Sequence, residues 1–206
     1  MSNDEFDNAE NKFYEKISQE LYPEHKVQAI DEFASERLRS FYISNPKVMQ
    51  PAVAALQEGK LLREISKHSP AIVFYVSAIE LFLKATLLKP VVYGLVHNEA
   101  LSEIIVKYTF SQTGFDRYEE LLSNLFSRFI NIDFKSIKRK NAKSTLFTEC
   151  KELQKIRNSI IHQGAKYSEA YSKKAHYVAI AVYEDIIFPM IKALGLRVGE
   201  EGKIIT

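Results

Sequence analysis

One stretch leaves the chain little choice of fold. From Ala71 to Lys89 it is apolar on almost every side, through Ile72, Val73, Phe74, Val76, Ile79, Leu81, Phe82, Leu83 and Leu87. A helix that is hydrophobic all round has no face to give to water, so other elements must enclose it. Glu80 and Lys84 interrupt the run, which stops it short of the ~18 consecutive apolar residues of a membrane span. Ser69-Pro70 marks its start, a capping residue followed by a proline in the first turn. Pro90 is expected to end or kink it. The sequence therefore predicts a central helix wrapped by amphipathic ones.

The wrapping helices are legible as apolar stripes at steps of three and four. Ala9 to Leu21 carries Phe13, Ile17 and Leu21, and Tyr22-Pro23 breaks it. Val27 to Ile43 carries Ile30, Phe33, Ala34, Leu38 and Phe41. Asn45-Pro46 reads as an N-cap and first turn for a helix to about Ser66, with Pro51 near enough to its start to be tolerated and Gly59 as its weak point. Helices follow at Asn98 to Tyr108 and, after a turn at Thr113-Gly114, at Asp116 to Ile130. Residues 131 to 143 are polar and basic and read as irregular. A helix capped by Ser144 runs to Gly164, and a long one spans Ser168 to Leu194, where Pro189 is expected to kink it late. The tail from Arg197 to Thr206 reads as a small hairpin around Glu200-Glu201-Gly202. Only 7 glycines and 6 prolines punctuate 206 residues, which suits long helices better than many short strands. The expected class is all-α, a helical bundle in a single domain over residues 1–206, with no internal repeat or linker.

Composition narrows the chemistry. Hydrophobic residues make up 46%, enough for a buried core, and the formal net charge of +2 gives no global pull toward nucleic acid. Any electrostatic footprint must be local. Cys150 is the only cysteine, so no internal disulfide can form and a reducing compartment is expected. Met1 to Glu10 is acidic and polar, unlike a signal or transit peptide. A soluble, cytoplasmic protein without a membrane partner is the expectation.

The chemistry concentrates in Lys155-Ile156-Arg157-Asn158-Ser159-Ile160-Ile161-His162-Gln163-Gly164. Leu146, Cys150, Leu153, Ile156 and Ile160 make this the end of an amphipathic helix, and Gly164 sits where a left-handed C-cap is expected. Asn158 and His162 lie one turn apart on a shared face. Arg157 is about 140° round the axis from His162. One isolated helix joins that pair poorly, but two copies about a twofold axis would pool both pairs in one cleft.

An arginine, a polar residue, three further positions and a histidine near the end of a helix in an all-α chain resembles the HEPN superfamily, here as Arg157-Asn158-Ser159-Ile160-Ile161-His162. The earlier helix with Ser77-Ala78-Ile79-Glu80-Leu81-Phe82-Leu83-Lys84-Ala85 is similar to the one that precedes the motif helix in that family. The resemblance covers about residues 60–195 and leaves an N-terminal helical extension, about 9–45, outside it. It implies a metal-independent endoribonuclease, needing no cofactor, that dimerises through the motif helix and acts on RNA as a prokaryotic toxin or antiphage effector. It also implies an alternative, a non-catalytic module that partners a nucleotidyltransferase, an antitoxin or another defence component.

The residue types suit the first reading. Metal-free RNA cleavage needs proton transfer at the ribose 2′-hydroxyl and the leaving oxygen, and positive charge on the phosphate. His162 suits proton transfer near neutral pH, Arg157 suits bidentate phosphate contact, and Asn158 can orient either. The plain alternative is a histidine on a helix C-terminus with Arg157 in a salt bridge. Glu80 and Lys84, an i, i+4 pair, either bridge each other or support the active site. Lys135, Lys138, Arg139, Lys140 and Lys143 precede the motif helix and either hold an RNA backbone, with Phe134 and Phe147 to stack on bases, or form a solvated loop. His97 and His176 have no companions at metal-ligand spacing and read as structural or surface residues. Cys150, on the apolar stripe, is expected to be buried.

Overall fold

The computed structural model describes residues 32–95, 133–140 and 142–206, besides single positions at 12, 15, 16, 25, 26, 28, 29 and 123. The helices expected at 98–108 and 116–130, the turn at Thr113-Gly114 and His97 lie outside the described residues, as does most of the helix expected at 9–21.

The described chain is mostly helical, as the stripes predict. Helix α1 covers 32–44, α2 Gln50–Glu64 and α3 His68–Leu81. A π-helical segment, Phe82–Leu88, carries α3 directly into α4, Lys89–Leu95. The motif helix is α5, Leu146–Gln163. Then α6, Glu169–Val182, passes through a second π segment, Tyr183–Ile187, into α7, Phe188–Ala193. Arg197–Val198 (β1) pairs antiparallel with Ile204–Ile205 (β2) around a turn at Glu200–Gly202, the hairpin expected at the tail. The backbone N–H of Ile204 donates to Pro46 O at 2.8 Å and pins the hairpin to the α1–α2 turn.

Helix α3 is the centre of the bundle. Ile72, Tyr75, Val76 and Ile79, with Phe82 and Leu83 beyond, are fully buried, and α2, α5 and α6 all pack on α3. By length and apolar content alone, His68–Gly94 could cross a membrane, yet 61% of its most apolar window is buried inside the protein. Enclosure by neighbouring helices satisfies its all-round hydrophobicity.

Four local expectations change. Asn45 does not cap α2; its side-chain Nδ2 donates to Phe41 O at 2.9 Å and closes the end of α1. Helix α2 begins four residues later, with Pro51 in its first turn, where a missing N–H is harmless. Ser69 lies inside α3, and its hydroxyl accepts from the backbone N–H of Tyr167 at 2.8 Å. Pro90 does not end the central helix. A proline cannot return a hydrogen bond to the carbonyl four residues back, and its ring crowds that carbonyl. For Pro90 that carbonyl is Thr86 O, and it lies in the wider π winding and accepts from the buried Tyr42 hydroxyl. Pro189 stands in the same place relative to the second π segment, which ends two residues before it, as the first does before Pro90. The two π segments touch, with the Phe82 and Tyr183 rings 5.8 Å apart.

Candidate functional site

Helix α5 presents the motif. Its N-cap is Thr145, whose Oγ1 accepts from the Thr148 N–H at 3.3 Å, rather than the Ser144 expected. Leu146, Phe147, Cys150 and Leu153 are buried, and Ile156 and Ile160 pack against the core, so the apolar stripe is the one the spacing predicts. Burial pushes the Cys150 thiol well above its usual range, which removes it as a nucleophile. At the other end Gly164 has φ 64°, and its N–H donates to Ile160 O at 3.2 Å. This is the left-handed stop expected of a glycine at that place.

The last turns leave the polar residues outward. Arg157 is half-buried; its Nη1 donates to Asn158 Oδ1 at 3.1 Å. Its Nε is buried without a partner, and among the described residues it pairs with no carboxylate. Asn158 and His162 are exposed, as is Ile161 directly before His162, at 48%. Arg157 and Asn158 are thus brought together within one chain, while no hydrogen bond among the described residues joins either to His162. That agrees with the angular separation of positions 157 and 162 on one helix.

Glu80 reaches this helix from α3. Its Oε1 accepts from Gln154 Nε2 at 3.1 Å, and Gln154 is one turn before Asn158 on the same face. Lys84 is half-buried on the first π segment. Gln154 went unnoticed in the sequence, although its spacing from Asn158 places it on the motif's face. Tyr167 was also unmarked. Its hydroxyl lies 2.9 Å from Ser159 Oγ, and its backbone bond to Ser69 ties the end of α5 to the start of α3.

The basic stretch divides in two. Lys135, Lys138, Lys140 and Lys143 are exposed. Arg139 turns inward and forks onto Glu149, with Nε–Oε2 at 2.8 Å and Nη2–Oε1 at 2.7 Å. Glu149 is only 3% exposed while the Arg139 side chain keeps 21%, so this is a bidentate ion pair with its carboxylate buried and its guanidinium half-buried. Its hydrogen bonds to Glu149 raise the Arg139 pKa further. Phe134 and Phe147 are both buried with their rings 5.4 Å apart, so they pack on each other and are not platforms for bases. Residues 134–136 form a short 3₁₀ turn inside the segment expected to be irregular.

Among the described residues, no three His, Cys, Asp or Glu side chains come together as metal ligands would. No family model matches the chain, and neither the curated proteins nor the solved structures compared with it give a match.

Proposed function

We propose that the chain is a metal-independent endoribonuclease of the HEPN type, working in the cytoplasm as a homodimer through α5, in the role of a toxin or antiphage effector. The observation that carries this reading is Arg157: a half-buried arginine on the outward side of α5, bonded to Asn158, with no carboxylate to neutralise it among the described residues. A salt-bridged arginine would favour a purely structural role, and Arg157 has no such bridge there. Its charge is available to a phosphate, where a planar guanidinium offers two parallel hydrogen bonds. His162, exposed one turn beyond Asn158, supplies proton transfer from the partner copy or its own. Glu80 and Gln154 hold the face of α5 beside the motif, and Lys135, Lys138, Lys140 and Lys143 offer backbone contacts to RNA.

In this mechanism the ribose 2′-hydroxyl attacks the adjacent phosphorus. One histidine takes its proton, an acid protonates the departing 5′-oxygen, and Arg157 holds the charge that builds on the phosphoryl oxygens. Cleavage should survive EDTA and leave a 2′,3′-cyclic phosphate and a 5′-hydroxyl. His162→Ala and Arg157→Ala should each lower the rate by roughly a hundredfold to ten-thousandfold while remaining folded. Mass spectrometry of the products, with circular dichroism of the variants, reads all of this. Cleavage by His162→Ala at the parent rate would defeat the nuclease reading. The second reading, a non-catalytic module for a nucleotidyltransferase or another defence component, would then stand, and it draws on His162 having no hydrogen bond among the described residues to fix its tautomer.

A further inference from the structure

A second group of polar side chains gathers where α3 begins, on the side facing α2 and α6. His68 opens α3, and its Nδ1 lies 3.3 Å from the hydroxyl of Ser172, buried in the first turn of α6. One turn along α6, the ring of His176 lies 5.2 Å from that of Tyr75. From the third side comes α2. Gly59 is set so close to Tyr75 that a Cβ there would stand 2.7 Å from the ring's Cε1. Arg63 is one turn past Gly59 and so shares the face that Tyr75 packs on.

Two polar atoms in this group have no partner among the described residues. They are the hydroxyl of Tyr75, a residue with 0% exposure, and Nδ1 of His176. An unmet buried polar group costs about 1–3 kcal/mol, so two on neighbouring rings are not a neutral feature of a core. The surroundings favour an anion. Arg63 is half-buried and bonds to no carboxylate among the described residues, and Lys60 beside it is exposed. Burial, then the Arg63 and Lys60 charges, hold the His176 pKa below its usual range. Burial also holds the Tyr75 pKa up, against the opposing pull of Arg63 and together with a smaller push from Glu64, so its hydroxyl stays a donor. Of the acids on this side, Glu169 is taken by Lys173 at 2.7 Å, and Glu64 is exposed. His176 is itself only half-buried, so the group borders solvent.

We propose that Arg63, Tyr75 and His176 form a binding site for a phosphate group, distinct from the Arg157–His162 motif and independent of the nuclease reading. Arg63 engages two phosphate oxygens, the Tyr75 hydroxyl donates to one of them, and His176 supplies the remaining polar contact. The phosphate belongs either to a small phosphomonoester such as a mononucleotide or to an RNA backbone.

The test is an NMR pH titration of histidine-labelled full-length protein with and without inorganic phosphate, chloride keeping the ionic strength equal. Phosphate should raise the depressed His176 pKa and do so saturably at millimolar concentration. Arg63→Ala should weaken binding at least tenfold. Tyr75→Phe, which keeps the ring packing, should weaken it several-fold. A nucleoside 5′-monophosphate and a short RNA, run in parallel, identify the source by which binds tighter. The doubly substituted Arg157→Ala, His162→Ala protein should bind phosphate like the parent. An unsaturated shift that chloride reproduces, an equal shift in Arg63→Ala, or loss of binding in the doubly substituted protein would each overturn the proposal.

Discussion

Arg139 and its neighbours differ by what their charge meets. Lys138 and Lys140 end in water, while Arg139 is the half-buried side of a fork whose other half, Glu149, is almost wholly enclosed. Removing one partner of such a pair strands the other, at a cost of about 3–5 kcal/mol. Arg139→Ala should therefore lower the urea midpoint steeply, and Lys138→Ala should leave it within about 0.5 kcal/mol of the parent. A clean test of RNA contact replaces Lys138, Lys140 and Lys143 together and asks whether the salt dependence of binding flattens; Arg139 must stay. Equal stability in Arg139→Ala and Lys138→Ala would dismiss the buried pair. Nothing in the sequence separates Arg139 from the lysines around it, because its partner is ten positions away on the first turn of α5. Arg157, by contrast, was marked by a motif written within one helix. Tyr75 and His176 were invisible as a pair because 101 positions separate them.

At the scale of elements, periodicity announced α2, α3, α5 and α6, since each stripe repeats over several turns. The helix runs on past Pro90 unannounced, because a sequence shows the missing donor and not the side chain that replaces it. Tyr42, 44 positions before Thr86, supplies that donor. Tyr42→Phe should cost about 1–3 kcal/mol by leaving a buried carbonyl unmet. In a Pro90→Ala background the restored N–H can serve the same carbonyl, so the cost of Tyr42→Phe should shrink. A double-mutant cycle by chemical denaturation measures this coupling, and strict additivity would break the link between Tyr42 and Pro90.

At the scale of the molecule the C-terminal end of α5 is open to solvent, with Ile161 exposed beside His162. If the site is shared between two copies, sedimentation at micromolar concentration should find a dimer, and Ile161→Asp should shift it toward monomer with loss of cleavage. A monomer at every concentration would remove the shared site. The two π segments carry a different consequence at this scale. Each amounts to roughly one extra residue wound into a helix, a phase slip of about 100° for everything that follows. Because the slips lie against each other, Lys89–Leu95 and Phe188–Ala193 are re-aimed at the same level of the bundle. A one-residue deletion in either π segment would turn everything after it by about 100° and carry the side chains buried there out of the core. Length changes at either π segment should therefore be tolerated only where a second change in the same helix restores its phase, a rule that related chains should obey.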